Sequence, residues 1–237
     1  MFQRSVNWSY VVMKMKDYSN YHNINTNDKL HRDGMILLEH SLNGFESYEA
    51  FVDNSPTPIR VLIYQKYDSD SETKRVIGHI SDIERGNILN INQQDWLVVT
   101  IPEDNKIYRK ADMKICNSFF PAITDKTRVL MRDEQGNVVY DKNGDPVVIE
   151  TGGDEYLVPC IVESSIKNSE SNNQINLSDG RIVITMKYQS ISNVKVNERF
   201  NMYDNTYVLV NIDKTKVINE IGIMTITADL IPSEVIS

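Results

Sequence analysis

The chain has 237 residues, of which 41% are hydrophobic and 24% charged, a composition typical of a folded protein that excludes wholesale disorder. Its formal net charge of −8 at pH 7 disfavours a broad basic surface for duplex nucleic acid. No segment approaches the roughly 18 uninterrupted apolar residues that a membrane helix needs, and no apolar signal segment follows Arg4. We therefore expect a protein that is made in the cytoplasm and has no membrane partner.

The first 32 residues are polar and aromatic, and they predict an extended N-terminal arm. Four asparagines between positions 20 and 27 disfavour a helix there, because the asparagine side chain competes for backbone hydrogen bonds. Large aromatic side chains are stabilised strongly by burial, so such an arm is suited to lie on a neighbouring subunit. The alternative is a terminal segment that is simply mobile. The candidate subunit contacts in this arm are Trp8, Tyr10 and Tyr18.

Residues 33–51 predict one amphipathic helix. Asp33 can cap its start, and apolar residues then recur at spacings of three and four. Gly44 costs about 1 kcal/mol inside a helix, and the segment Asn-Ser-Pro-Thr-Pro at 54–58 ends it. The predicted apolar stripe contains Met35, Leu38, Leu42, Phe45, Tyr48 and Phe51.

Residues 59–64 and 74–80 predict the first strands of a β unit that extends to residue 117. The loop between them carries Asp68 and Asp70, but it lacks the turn glycine and distant acid of a calcium loop, so a solvated hairpin loop is favoured. The stretch 86–117 adds β-branched and aromatic runs separated by Gly-Asn and Pro-Glu-Asp-Asn turns. This alternation is typical of a β-meander.

Residues 118–163 predict an inserted region of β-hairpins that protrudes from the β body. Short apolar runs are joined there by turns rich in glycine and asparagine. Asp141, Asn143 and Asp145 resemble a calcium loop, but the glycine falls at the fourth position rather than the sixth and Gly152 replaces the final acid. We predict a turn without a metal. The candidate subunit contacts in this region are Val138, Tyr140 and Val147.

The C-terminal part of the chain repeats the pattern of the central stretch. A shift of 111 positions places residues 96–99, Trp-Leu-Val-Val, on residues 207–210, Tyr-Val-Leu-Val. Further apolar residues match at the same shift, although a chance match of β-rich segments is the alternative. The other matched pairs are Leu89 with Phe200, Ile101 with Ile212, Ile107 with Ile218, Met113 with Met224 and Ile115 with Ile226.

These patterns predict a mainly β fold, with a sandwich or barrel-like β body built from two similar β units, one N-terminal helix and inserted β-hairpins. The predicted organisation is an extended arm (1–32), a helix with the first β unit (33–117), the inserted hairpin region (118–163), and a loop with the second β unit packed on the first (164–237).

No residue pattern for catalysis emerges. The four histidines have no metal-ligand spacing, and neither a glycine-rich phosphate loop nor a nucleophile elbow is present. We expect no catalytic, cofactor-binding or metal-binding residue, and therefore no enzyme. Cys116 and Cys160 are interpreted as buried free thiols, with a disulfide as the alternative.

One cluster of positive charge surrounds Tyr108. It forms a candidate basic rim that faces an acidic partner or a nucleic-acid backbone, and the alternative is an ordinary solvated face of a sheet. Its members are Lys106, Arg109, Lys110 and Lys114.

Several motifs resemble a family of phage structural proteins encoded among head and tail genes. The first are Asp-Trp-Leu-Val at 95–98, Asn-Lys-Ile-Tyr-Arg-Lys-Ala at 105–111 and Met-Lys-Ile-Cys-Asn at 113–117. The C-terminal half adds Val-Asn-Glu-Arg-Phe at 196–200 and Ile-Met-Thr-Ile at 223–226. The resemblance covers roughly residues 33–117 and 181–232, and it carries no catalytic residue.

The resemblance implies a structural protein of the virion of a tailed bacteriophage, made in the host cytoplasm. It would form part of a ring in the head–tail connector, the neck or collar that joins portal to tail and lines or closes the DNA exit path. The implied partners are copies of itself, the portal protein, and neighbouring connector or tail proteins, with viral DNA passing without sequence-specific binding. The alternative is a tail or baseplate protein of the same particle. A host-wall carbohydrate-binding or hydrolytic protein is a third hypothesis, with Trp8 or Trp96 as stacking residues.

Overall fold

The computed structural model describes residues 25–65, 71–124, 127–167, 174–176 and 180–232. The predicted mainly β fold with one N-terminal helix is confirmed. The helix is α1 (Thr26–Leu42), and the strands of the N-terminal half are β1 (Ser47–Val52), β2 (Ile59–Gln65), β3 (Thr73–Gly78), β4 (Ile88–Ile91), β5 (Gln94–Val98), β6 (Glu103–Asp104) and β7 (Arg109–Ile115). The strands of the C-terminal half are β8 (Ser118–Ile123), β9 (Thr127–Leu130), β10 (Val148–Thr151), β11 (Glu155–Glu163), β12 (Ser165–Lys167), β13 (Gln174–Asn176), β14 (Arg181–Lys187), β15 (Arg199–Met202), β16 (Asn205–Asp213), β17 (Val217–Ile218) and β18 (Ile221–Leu230).

Helix α1 is displaced toward the N-terminus from its predicted position, so the helix expected at 33–51 was wrong at both ends. Asn25 caps the helix by accepting a hydrogen bond from the backbone N–H of Asn27 at 3.1 Å, because asparagine suits a cap better than a helix interior. Residues 26–32, expected in the extended arm, are therefore helical. The helix ends at Leu42, and residues 47–52 form β1, whose backbone pairs with both β2 and β4.

The first sheet is a closed barrel. Its strand order is β3-β2-β1-β4-β5-β7, and β3 pairs with β7 to close the circle, while the short β6 extends the edge of β7. Its interior is filled by buried apolar side chains, and α1 packs on the outside through Leu38 and Leu42 against Leu62. The interior includes Ala50, Val61, Val76, Ile83, Leu89, Trp96, Val98 and Met113.

The second sheet curls into a similar body, which we call the second barrel. Its strand order is β8-β11-β14-β18-β16-β15. The rings of Phe120 on β8 and Phe200 on β15 lie 5.1 Å apart between centroids and connect the two edge strands across the core. Asn193 joins the β14–β15 connection to β8, since its side chain donates to the Pro121 carbonyl and accepts from the Ile123 N–H.

The two barrels are copies of one topology, which confirms the predicted pair of similar β units. With β1, β2, β3, β4, β5 and β7 replaced by β8, β11, β14, β15, β16 and β18, the neighbour relations are the same, except that β8 and β15 are not hydrogen-bonded. The shift of 111 residues carries β4 onto β15 residue for residue. Two backbone hydrogen bonds of the first barrel recur in the second at the same shift. The N–H of Gly86 donates to the carbonyl of Val98, as the N–H of Asn197 does to Leu209. The N–H of Val98 donates to the carbonyl of Asn87, as the N–H of Leu209 does to Glu198.

The hairpin turns within the two copies also match. Asn92 and Gln93 between β4 and β5 both have positive φ, and so do Tyr203 and Asp204 between β15 and β16. Two successive residues with positive φ are typical of a type I′ turn, whose twist suits a two-residue hairpin. The same local geometry is therefore built from different residues in the two copies.

The barrels meet at an apolar junction flanked by polar contacts. Its centre consists of Leu97 from the first barrel with Ile161 and Ile223 from the second. The side chain of Asn117, between β7 and β8, donates to the carbonyl of Val162 and accepts from its N–H. Two ion pairs cross the junction, Lys114–Glu163 at 2.5 Å and Lys187–Asp53 at 2.6 Å.

The inserted region is shorter than the expected 118–163. Strands β8 and β11, at its two ends, are members of the second barrel, because their alternating residues Phe120, Ala122, Val158 and Cys160 fill its core. Only the segment between them stands apart. The loop expected at 164–176 contains two short strands, β12 and β13, which pair with each other.

Candidate interaction surfaces

The segment between β8 and β11 forms a hairpin with a branched tip, and we call residues 127–151 the twin-turn module. Strands β9 and β10 form its stem as a separate two-stranded sheet. Beyond the stem, three backbone hydrogen bonds link Met131, Val139 and Val147 in a triangle, from 131 N to 147 O, 147 N to 139 O and 139 N to 131 O. The triangle holds two small hairpins together at the tip, bridged at Arg132–Val138 and Tyr140–Pro146.

The two tip hairpins are built by a tandem eight-residue repeat, Asp-Glu-Gln-Gly-Asn-Val-Val-Tyr at 133–140 and Asp-Lys-Asn-Gly-Asp-Pro-Val-Val at 141–148. In each turn the first aspartate accepts hydrogen bonds from the backbone N–H groups two and four residues later, at 2.8 to 3.0 Å. Gly136 and Gly144 have φ of +87° and +84°, a conformation that favours glycine. Asp133 and Asp141 thus each stabilise one turn.

The module exposes apolar side chains on both faces of its stem. Leu130 and Val148 share one face, Val129 and Ile149 share the other, and all four are exposed. Of the predicted contacts, Tyr140 is 62% exposed, whereas Val138 and Val147 are half-buried. The structure therefore places these three predicted residues together in one protruding element.

The candidate basic rim is distributed over several environments and is largely neutralised. Arg109 lies near Glu84 and Asp104, at 3.6 and 3.4 Å. Lys110 binds Glu103 at 2.7 Å, and this bond lowers the pKa of the Glu103 carboxyl. Lys114 is directed into the junction between the barrels, and Lys106 is exposed in the β6–β7 turn with φ of +72°.

The aromatic residues of the predicted arm, Trp8, Tyr10 and Tyr18, lie outside the described residues. Trp96, the other proposed stacking residue, is buried in the first barrel beside a cavity of about 290 Å³ that is also lined by Tyr48, Gln65, Asn92 and Gln94. The ammonium group of Lys74 lies 4.7 Å from the centroid of its ring. Trp96 therefore offers no open face for stacking on a sugar.

A second apolar surface, which sequence reasoning missed, lies on one flank of α1. Leu30 and Leu37 are seven residues apart, so they share a side of the helix, and they are 63% and 68% exposed. Phe45, just after the helix, is 97% exposed. We call Leu30 and Leu37 the helix flank, and Phe45 is a separate exposed side chain. The spacing of seven residues between Leu30 and Leu37 indicates a shared helix face, but only when the helix is known to begin at Thr26.

Within the described ranges, no group of three or more histidine, cysteine, aspartate or glutamate side chains is placed to hold a metal ion. No helix in the described part of the chain is long and apolar enough to cross a membrane.

Comparison with solved structures gives matches of low structural similarity. MrkH of K. pneumonia in its apo state aligns with a TM-score of 0.22 at 11% identity, covering 85% of this chain and 84% of MrkH. The MrkH–c-di-GMP complex aligns with a TM-score of 0.21. TM-scores this low do not indicate a shared fold or a shared function.

Comparison of sequences gives a clear relationship. The YomX N-terminal domain matches residues 20–115, and the YomX C-terminal domain matches residues 118–229. The SPbeta prophage-derived protein YomX of Bacillus subtilis (strain 168) is 35% identical over 216 residues, which are 90% of this chain and 96% of that protein. The two domains correspond to the two barrels, since the boundary falls between β7 and β8. The chain belongs to the YomX family and is a phage-derived protein.

Proposed function

We propose that the chain is a structural, non-enzymatic protein of a tailed phage particle that forms part of a ring in the head–tail connector. The observation that carries the proposal is the combination of phage-derived family membership with a two-barrel body from which an apolar module projects. An exposed apolar surface of this kind marks a site of protein–protein contact.

A ring places two demands on its subunit, and the chain is suited to both. Each subunit of a cyclic ring presents two different surfaces to identical neighbours. The twin-turn module and the helix flank are two such surfaces on different barrels. The net charge of −8 also suits a conduit, since an acidic wall repels passing DNA instead of retaining it.

The proposed partners are copies of the chain, the portal protein and adjacent connector or tail proteins. The largely neutralised basic cluster favours contact with proteins over retention of nucleic acid, because Arg109, Lys110 and Lys114 already have carboxylate partners. Viral DNA would pass without sequence-specific contact.

The test uses particles produced from a phage genome that carries this gene. The chain is quantified by mass spectrometry in purified particles, and a strain without the gene is complemented with the wild-type chain as the control. We expect the chain in particles, and without the gene full heads that leak DNA. Sealed heads with defective tails would assign the chain to the tail or baseplate, and absence from particles would refute a virion role.

A further inference from the structure

We infer that the first barrel binds a small organic anion in the cavity at one of its ends, and that Lys74 binds the carboxylate or phosphate group of this ligand. The cavity lies where β2 and β4 end and β1, β3 and β5 begin, and we call it the barrel mouth. The inference goes beyond the proposed function and does not depend on where the chain lies in a phage particle. The residues that carry it are Tyr48, Gln65, Lys74, Asn92, Gln94 and Trp96.

The first step is that polar side chains at the mouth belong to the inward-facing rows of the strands. Side chains two residues apart on a strand lie on the same face of the sheet. Lys74 therefore shares a face of β3 with Val76, and Gln94 shares a face of β5 with Trp96. Both Val76 and Trp96 are buried in the barrel interior, so the apolar interior ends in a polar layer at this mouth. Four strands contribute one side chain each to that layer, namely Tyr48, Gln65, Lys74 and Gln94.

The second step is that the second barrel fills the equivalent positions with apolar core. Lys74 pairs with residue 113 on β7, and Met186 pairs with residue 224 on β18, which is 113 shifted by 111. By the same register, Cys160 is the counterpart of Gln65. Met186 and Cys160 are both fully buried in the core of the second barrel. The shared framework therefore does not require polar residues in this layer, and the lining of the mouth is a property of the first barrel.

The third step is that the charge of the mouth favours an anion. Of the described residues that line it, Lys74 alone is charged, and none carries a carboxylate. The half-buried Lys74 places its ammonium group 4.7 Å from the centroid of the Trp96 ring, a cation–π contact that leaves its N–H groups able to donate. The lysines of the basic rim that lie at ion-pair distance from an acid, Lys110 and Lys114, differ in this respect. Hydrogen bonds from an ammonium group to an oxyanion are stronger than neutral ones, so a carboxylate or phosphate is the matching group.

The rest of the lining indicates the size and character of the ligand. The side-chain amides of Asn92 and Gln94 can donate further hydrogen bonds to an oxyanion, and the ring of Tyr48 offers an apolar wall. The volume of about 290 Å³ is at the lower end for small-molecule sites. We therefore expect an acid or a phosphate ester with a compact apolar body. For so small a ligand the dissociation constant should be about 0.1 to 1 mM.

The test titrates the full chain with benzoate and with phenyl phosphate, which share an aromatic body and differ in the anionic group. Benzyl alcohol is the neutral control ligand, and binding is measured by calorimetry and by NMR. Lys74→Met removes the charge and introduces the residue type that Met186 provides in the second barrel, so the framework should accept it. Lys142→Met is the matched control for loss of one positive charge, because Lys142 is exposed in a tip hairpin of the twin-turn module. Circular dichroism confirms that each variant is folded.

We expect the wild type and Lys142→Met to bind at least one of the two anions with a dissociation constant of about 1 mM or lower. The anion that binds more tightly identifies the preferred head group. Lys74→Met should weaken this binding by roughly tenfold or more, and benzyl alcohol should bind the wild type more weakly than the anion by a similar factor.

A further measurement needs no change in the mouth. The bound anion should shift the indole N–H signal of Trp96, which is assigned by comparison with Trp8→Phe. Four results would overturn the inference: no binding of either anion at about 10 mM, equally tight binding of the alcohol, unchanged affinity in folded Lys74→Met, or an unshifted Trp96 signal at saturation. None of these results bears on whether the chain is present in particles, so the proposed function is tested separately.

Discussion

Gly86 provides the sharpest test of how the two barrels are joined. It has φ of +94°, and a Cβ added there would overlap the carbonyl oxygen of Gly222 on the second barrel. Its counterpart in the other copy of the fold is Asn197, with φ of +69° and the same backbone hydrogen bond to the neighbouring strand. The turn itself therefore accepts asparagine, and the contact between barrels is what requires glycine. We predict that Gly86→Ala destabilises the protein and that Asn197→Gly does not.

The magnitude follows from two physical costs. A residue with a Cβ in the left-handed region costs about 1–2 kcal/mol. Relief of the overlap requires a shift of the apolar junction around Leu97, Ile161 and Ile223, and overpacking of this kind costs about 1–3 kcal/mol. We expect a loss of roughly 2–5 kcal/mol for Gly86→Ala, against about 0.5 kcal/mol or less for Asn197→Gly.

Thermal and urea unfolding followed by circular dichroism measure both variants beside the wild type. For a chain of this length, each kcal/mol corresponds to about 2–4 °C, so the melting temperature of Gly86→Ala should fall by roughly 4–20 °C. A Gly86→Ala protein that melts within about 2 °C of the wild type would show that the barrels are not in contact at Gly222. An equal loss for both variants would place the requirement in the turn and not in the junction.

Three further predictions concern the junction, the module and the thiols. Because the side chains of Lys114 and Glu163 are only 21% and 35% exposed, a double-mutant cycle with Lys114→Met and Glu163→Gln should give a coupling energy of about 1 kcal/mol, and additive losses would contradict a direct pair. The backbone N–H of Asn137 lowers the pKa of the Asp133 carboxyl, so this carboxylate should protect the turn amides above its ordinary pKa of 3.8 and lose that effect as the pH falls further. Hydrogen exchange should show this loss only in the wild type, with Asp133→Asn lacking the step and the barrels unchanged. Both cysteines are free; Cys160 is buried and Cys116 is half-buried, and loss of hydration raises the pKa of both thiols to about 12. Both should therefore react slowly with a thiol reagent in the folded protein at pH 8 and rapidly after unfolding, and rapid reaction of Cys160 before unfolding would contradict its burial.

The repeated framework was predictable because its signals are local. Period-two alternation, an aromatic residue at the strand start and two-residue turns recur at one spacing, and each acts within a few residues. The position of α1 was harder to predict from the sequence. Phe45, Tyr48 and Phe51 satisfy a helical spacing, but pairing of residues 47–52 with two strands distant in sequence decides in favour of β1.

The candidate interaction surfaces could not be predicted from the order of residues alone, because they depend on which strands pair and in which register. The acids that neutralise Arg109, Lys110 and Lys114 come partly from other elements, as Glu163 does from 49 residues away, so the charge of the cluster depends on strand register. The same register sets the burial of Trp96, a residue whose type alone suggests stacking on sugar. The role of Asp133 and Asp141 in turns was within reach of sequence, since their eight-residue period is contiguous.

The two ion pairs across the junction have a mechanical consequence. Lys114 extends from the first barrel to an acid on the second, and Lys187 extends from the second barrel to an acid on the first. Together with the apolar cluster of Leu97, Ile161 and Ile223, the two ion pairs oppose separation of the two barrels. In the proposed ring, a rigid junction within each subunit would limit the angular error that accumulates from one copy to the next, and this error decides whether a chain of subunits closes on itself or winds into an open filament.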